Sequence, residues 1–128
     1  MKWRPDFELG IPEIDGQHRK IVELINTLND AFMKDQTKTV VGRILDEMAD
    51  YADYHFKTEE KLFKDKNFPF AKEHIAQHQG FIKKVQDYKR QFEAGTSVTF
   101  RVLVFLRKWL TDHILDSDRE YVDIVKRK

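Results

Sequence analysis

The sequence contains no cysteine, which excludes both disulfides and thiolate metal ligands. It carries almost no excess charge, since 23 basic side chains stand against 22 acidic ones for a net of +1. The two signs are interspersed. That argues against nucleic acid or an anionic membrane as partner, because both are usually met by a basic patch. No apolar run approaches the ~18 residues that a membrane-crossing helix needs. Residues 1–10 hold charges where a secretion signal would have its apolar stretch. Repeats, low-complexity tracts and linkers are also missing. With no cysteine and no targeting segment, a cytoplasmic location is expected. The length of 128 residues, 41% hydrophobic and 35% charged, suits one domain, residues 1–128, with a real core.

What the chain does have is helical periodicity, interrupted by three short breaks. Residues 35–38 are polar, 66–69 contain Asn67 and Pro69, and 95–97 pair Gly95 with Ser97. Between them the spacing predicts helices over about 16–34, 39–65, 70–94 and 98–115, with Asp15 as N-cap of the first. The apolar stripes alternate steps of three and four. They run His18, Ile21, Ile25, Leu28, Phe32; then Val41, Leu45, Met48, Ala52, His55, Glu59, Leu62; then Ala71, His74, His78, Phe81, Val85, Tyr88, Phe92; and last Val102, Leu106, Trp109, His113. Short connections force neighbouring helices antiparallel. The expected fold is therefore all-α, an up-down-up-down four-helix bundle. Residues 1–14 are expected to form an arm across it, with Trp3 as anchor.

All five histidines of the chain lie on those stripes. In an up-down-up-down bundle, one end collects the start of helix one, the end of helix two, the start of helix three and the end of helix four. His18, His55, His74, His78 and His113 occupy those places, so topology alone brings them to one height. Glu59 is the one charged residue on the second stripe, which is costly unless it is paired or bound to a metal. His74 and His78 are four apart, and so are His55 and Glu59. Four residues rotate a helix by ~40° beyond a full turn, so each pair can reach one ion. Glu60 follows at the next position and is expected to point into solvent.

A single buried histidine is more often a hydrogen-bonded core residue than a ligand, and an isolated HxxxH is common. Five uncompensated imidazoles in one core are different, because together they cost on the order of several kcal/mol. The joint pattern points to a buried transition-metal site. Five imidazoles exceed what one tetrahedral zinc takes, which favours two metals. An HExxH zinc motif is absent, since Ile75 follows His74. The paired Glu-x-x-His of carboxylate-rich di-iron bundles is absent too, as no Glu precedes a His by three. The donor set is rich in nitrogen and poor in carboxylate.

These residues match a known family. Leu9-Gly10-Ile11 with Ile14-Asp15-Gly16-Gln17-His18, then His55-Phe56-Lys57-Thr58-Glu59-Glu60, His74 to His78, and Trp109-Leu110-Thr111-Asp112-His113-Ile114 leading to Asp118 resemble the hemerythrins, most closely the single-domain bacterial form. The match spans nearly the whole chain, and no expected ligand is missing. The resemblance implies two iron ions held by the five histidines, bridged by the carboxylates of Glu59 and Asp118 and by an oxo or hydroxo group. It implies that His74, His78 and His113 hold one iron and that His18 and His55 hold the other. The second iron then has one open position, where dioxygen would bind. One point resists simple geometry. Asp118 lies five residues after His113, about 140° round an ideal helix, and Asp116 would fit a straight helix better. The family pattern favours Asp118, which requires helix four to loosen before that residue. A short terminal helical segment over 119–126 is then expected.

The aromatics Trp3, Phe7, Phe56, Phe81 and Trp109 are most simply core. Phe56, Trp109, Leu110 and Ile114 adjoin ligands and are also expected to wall an oxygen pocket. The function expected is reversible dioxygen binding by an oxygen carrier, storage or delivery protein, not an enzyme. Two alternatives stay open: a di-iron enzyme such as a peroxidase or nitric-oxide-handling protein, and an oxygen-sensing module acting on a separate partner.

Overall fold

A computed structural model describes residues 1–35, 38–118 and 122, with the side chains of 116–118 outside that description. Four long helices carry the chain: α1 (Pro12–Met33), α2 (Lys38–Asp65), α3 (Ala71–Glu93) and α4 (Thr99–Asp112). The described residues contain no strand. A 3-10 turn at Pro5–Phe7 precedes α1, and a π-helical segment, His113–Asp118, continues α4. α1 packs on α2 and α4, and α3 packs on α2 and α4, which closes the ring of an antiparallel bundle. The expected 119–126 segment lies outside the described residues.

The three links share one device. Asp35, Asn67 and Gly95 take positive φ values of 52°, 51° and 93° just beyond the ends of α1, α2 and α3. Asp, Asn and Gly tolerate that left-handed conformation best, and it turns the chain out of the helix. At the end of α2 the turn also builds toward the functional end. The Phe68 amide donates to the Phe63 carbonyl at 2.9 Å, closing the cap, and the two rings lie 5.2 Å apart. Both rings then pack edge-on against His74, at 5.1 and 5.2 Å.

Most of the stripes form the core as their period demands. Ile25, Leu28, Met48, Ala52, Val102 and Leu106 are all buried. Phe32 departs from this. It lies 39% exposed on the last turn of α1, where its neighbour across the bundle is Phe100, itself 62% exposed on the first turn of α4. The two rings shield each other at the surface instead of entering the core.

The arm corrects two expectations. α1 starts at Pro12, four residues before the expected start, because proline is pre-set for the first helical position and needs no N–H partner there. Asp15 is therefore not the N-cap but sits inside the first turn, buried. Its carboxylate accepts the backbone N–H of Leu9 at 2.8 Å and of Gly10 at 3.0 Å, and so ties the arm to the helix. The deeper anchors of the arm are Phe7 and Leu9, which are buried. Trp3 is half-buried, edge-on to Phe7 at 5.4 Å and covered by the Arg19 guanidinium at 4.6 Å.

Candidate metal centre

His18 in the second turn of α1, His55 and Glu59 in the last third of α2, His74 and His78 at the start of α3, and His113 directly after α4 meet at one end of the bundle. All six are at least 97% buried. Their donor atoms fall into two groups that share one residue. His18, His55 and Glu59 can place one donor atom each within 4.8 Å of one another, and so can Glu59, His78 and His113. His74 stands beside the second group, with its ring centroid 6.3 Å from that of His113.

Glu59 is the hub. Its Oε1 lies 2.8 Å from His55 Nε2, 3.6 Å from His78 Nε2 and 3.7 Å from His113 Nε2. Burial by itself would push this carboxyl up. The positive charge that the facing imidazoles can carry, His55 first and then His113, outweighs burial and holds it well below the usual carboxylate range. A fully buried anion ringed by imidazole nitrogens is a strong cation-binding arrangement.

Three of the imidazoles are oriented from behind. His55 Nδ1 donates to Gln17 Oε1 at 2.7 Å, and the Gln17 amide donates on to Thr58 Oγ1 at 3.3 Å, which sets which way the amide points. His78 Nδ1 donates to the Glu60 carboxylate at 3.0 Å. His113 Nδ1 donates to Gln77 Oε1 at 3.3 Å. Each bond keeps a ring proton on Nδ1, so that Nε2, once it gives up its own proton, turns its lone pair to the shared centre. These donors therefore fit a transition metal in type, and three of the imidazoles are also oriented for it.

Sequence reasoning missed these partners. Glu60 does not simply face solvent: its carboxylate is one-third exposed and grips His78. Gln17 and Gln77 were passed over as polar neighbours of His18 and His78. Their signal was position, since a residue next to a ligand on a helix lies at the edge of the buried stripe, within reach of the adjacent helix.

Aromatic rings pack around the nitrogens. Phe56 stacks on His78 at 4.0 Å and 7°, and Trp109 stacks on His113 at 4.3 Å and 16°. A cavity of about 10 Å³ lies against His55 and His113, lined by Phe56, Trp109 and Leu110 together with aliphatic side chains of α1 and α4. Ile114 is fully buried at the same end but does not border that cavity. The Asp118 side chain lies outside the described residues. Its backbone ends the π-helical segment that begins at His113. The backbone leaves ideal α geometry there, so the angle of an ideal helix does not apply between His113 and residue 118.

A four-helix bundle with a buried histidine-rich centre divided about one carboxylate defines a metal-binding helical protein. Residues 9–125 match the Hemerythrin HHE cation binding domain. The chain belongs to the hemerythrin family. The bacteriohemerythrin of Stenotrophomonas maltophilia (strain R551-3) is 39% identical over 124 residues, covering 97% of this chain and 80% of that protein. The bacteriohemerythrin of Clostridium acetobutylicum is 33% identical over 127 residues, covering 94% of this chain and 98% of that protein. The crystal structure of a wild-type hemerythrin superposes with a TM-score of 0.92 at 29% identity, over 99% of this chain and 98% of that one. Family and donor set together make this a hemerythrin-type iron protein. No helix among the described residues is long and apolar enough to cross a membrane.

Proposed function

We propose that this protein binds dioxygen reversibly at a non-haem di-iron centre, as a carrier, storage or delivery protein and not as an enzyme. The observation that carries the reading is the unequal division of imidazoles about Glu59. His18 and His55 stand on one side, and His78 and His113, with His74 beside them, on the other. In this reading His74, His78 and His113 hold one iron and His18 and His55 the other. Glu59 and Asp118 bridge them, alongside an oxo or hydroxo group. Such an iron pair supplies one electron from each metal to a dioxygen molecule and recovers both on release.

The protein's own part is positioning and exclusion of water. Gln17, Glu60 and Gln77 keep the Nε2 lone pairs aimed inward. The side with two imidazoles leaves a position for an outside ligand, and the narrow apolar cavity bordering His55 and His113 lies next to it. Phe56, Trp109 and Leu110 wall the cavity with rings and an aliphatic side chain, and Ile114 is buried at the same end, so a bound molecule meets few protons and leaves unchanged.

The test is to count iron per chain in anaerobically reduced protein and to record its absorption spectrum before and after air. Two irons and a spectrum that reverts on deoxygenation are expected. One metal per chain, zinc in place of iron, or oxidation that does not reverse would overturn the proposal. Steady turnover of peroxide or nitric oxide would favour an enzyme instead.

A further inference from the structure

The small cavity beside His55 and His113 has one weak wall. Every residue lining it is at most 4% exposed except Trp109, which is half-buried. Trp109 also borders a second space, an open groove of about 210 Å³ on the outer face of α4, together with Val104, Phe105, Lys108 and Asp112. One indole thus separates the interior cavity from solvent. Phe81 also reaches an outer groove, the one between α2 and α3. Phe81 is itself 4% exposed and is held edge-on by Phe56 at 5.4 Å, so that wall is thicker.

We propose that Trp109 is the door of this site: small ligands enter from the α4 groove past its ring, and the ring sets how fast and how large they can be. The proposal rests on the cavity being the ligand site. The cavity volume of about 10 Å³ is close to what one water-sized sphere needs, so a diatomic molecule enters only when a wall yields. Trp109 is pinned on its inner side by stacking on His113 at 4.3 Å and by packing on Phe81 at 4.4 Å. Its outer side is bounded by the open groove, whose rim holds Val104, Phe105 and the exposed Lys108–Asp112 ion pair. A ring held by stacking yields briefly and recloses, which admits a small apolar molecule and resists a charged or longer one. Trp109 therefore acts as a specificity-determining residue through passage, not through contact with the bound ligand.

A door changes entry and exit together and leaves affinity nearly alone, whereas a binding contact changes affinity. Azide, a linear triatomic anion, is the probe for iron-loaded, oxidised protein, followed by stopped-flow absorbance. Trp109→Ala should raise both azide association and dissociation rates by about tenfold or more while the Kd stays within about threefold. Trp109→Phe, which keeps an apolar ring of smaller area, should give a smaller rise of the same kind and decides the matter if the alanine variant does not fold. Leu103→Ala controls for general loosening, since Leu103 is buried on α4 but does not border the cavity. In metal-free protein, xenon exchange followed by 129Xe NMR should accelerate in Trp109→Ala and not in Leu103→Ala. Unchanged rates in both Trp109 variants, or equal acceleration in Leu103→Ala, would overturn the door. If wild-type protein fails to bind dioxygen reversibly, the function proposed above fails. The azide and xenon rates still decide on Trp109.

Discussion

Gln17 and His55 are joined by a buried 2.7 Å hydrogen bond from the imidazole Nδ1 to the amide oxygen, linking α1 to α2 across the metal end of the bundle. The bond fixes a proton on Nδ1 and leaves Nε2 to offer its lone pair to a metal. Gln17→Leu, similar in size and still apolar enough for its buried place, removes the acceptor. We expect iron affinity to fall by roughly 10–100-fold with the helical content unchanged. Titration of metal-free protein with ferrous iron under anaerobic conditions measures this. Wild-type affinity in the variant would show that packing alone orients His55.

His18→Ala and His78→Ala should differ in outcome. In the proposed assignment His18 serves the side of the site with two imidazoles and His78 the side with three. Losing His18 should release that iron and abolish reversible dioxygen binding while part of the metal remains. Iron counted per chain in the two variants checks this, and equal, complete loss in both would show that the two sides are not separable. Far-ultraviolet circular dichroism should stay helical in each, since the apolar stripes are untouched.

Leu110 lies one helical turn before His113 and lines the cavity. If it keeps water from bound dioxygen, Leu110→Ala should speed autoxidation of the oxygenated protein. The same change should cost ~2–5 kcal/mol by leaving a void. Leu28→Ala separates the two effects, because Leu28 is equally buried yet ten residues beyond His18, ~15 Å along α1. Equal decay of the two oxygenated variants, under conditions where both stay folded, would make Leu110 ordinary core.

Asp15 joins the arm to α1 through the amides of Leu9 and Gly10. Its carboxyl is pushed up by burial, with the nearby Glu8 adding to this and the two amides partly offsetting it. A raised acid binds its proton more tightly in the folded state than in the unfolded one. Its contribution to stability is then greatest below the ordinary carboxyl range and declines as pH rises through the raised value. Asp15→Asn removes that slope. Denaturant unfolding of metal-free protein across the acid range should show wild type losing ground to Asp15→Asn as pH rises. A constant difference would mean that the two amides cancel the effect of burial at Asp15, and wild type gaining ground as pH rises would mean that they outweigh it.

Much of the fold was legible because helical periodicity is local. Steps of three and four recur along each stripe, and Asp35, Asn67 and Gly95 mark the breaks. The metal end was legible for a second reason: short links leave one topology, and topology with residue order brings His18, His55, Glu59, His74, His78 and His113 to one height. Those two facts are properties of the sequence alone. What only the tertiary structure decided depends on distances between helices, which no periodicity encodes. Gln17, Glu60 and Gln77 became partners of His55, His78 and His113 because neighbouring helices approach within hydrogen-bond reach there. Asp15 turned inward because the arm folds back over its own helix, and Phe32 stayed at the surface, where its ring meets that of Phe100 on α4. The chain leaves α geometry at His113 for a wider turn, something an ideal period cannot anticipate. The same holds for the door: Trp109 fits the stripe of α4 as well as any core residue, and only the spaces on its two sides set it apart.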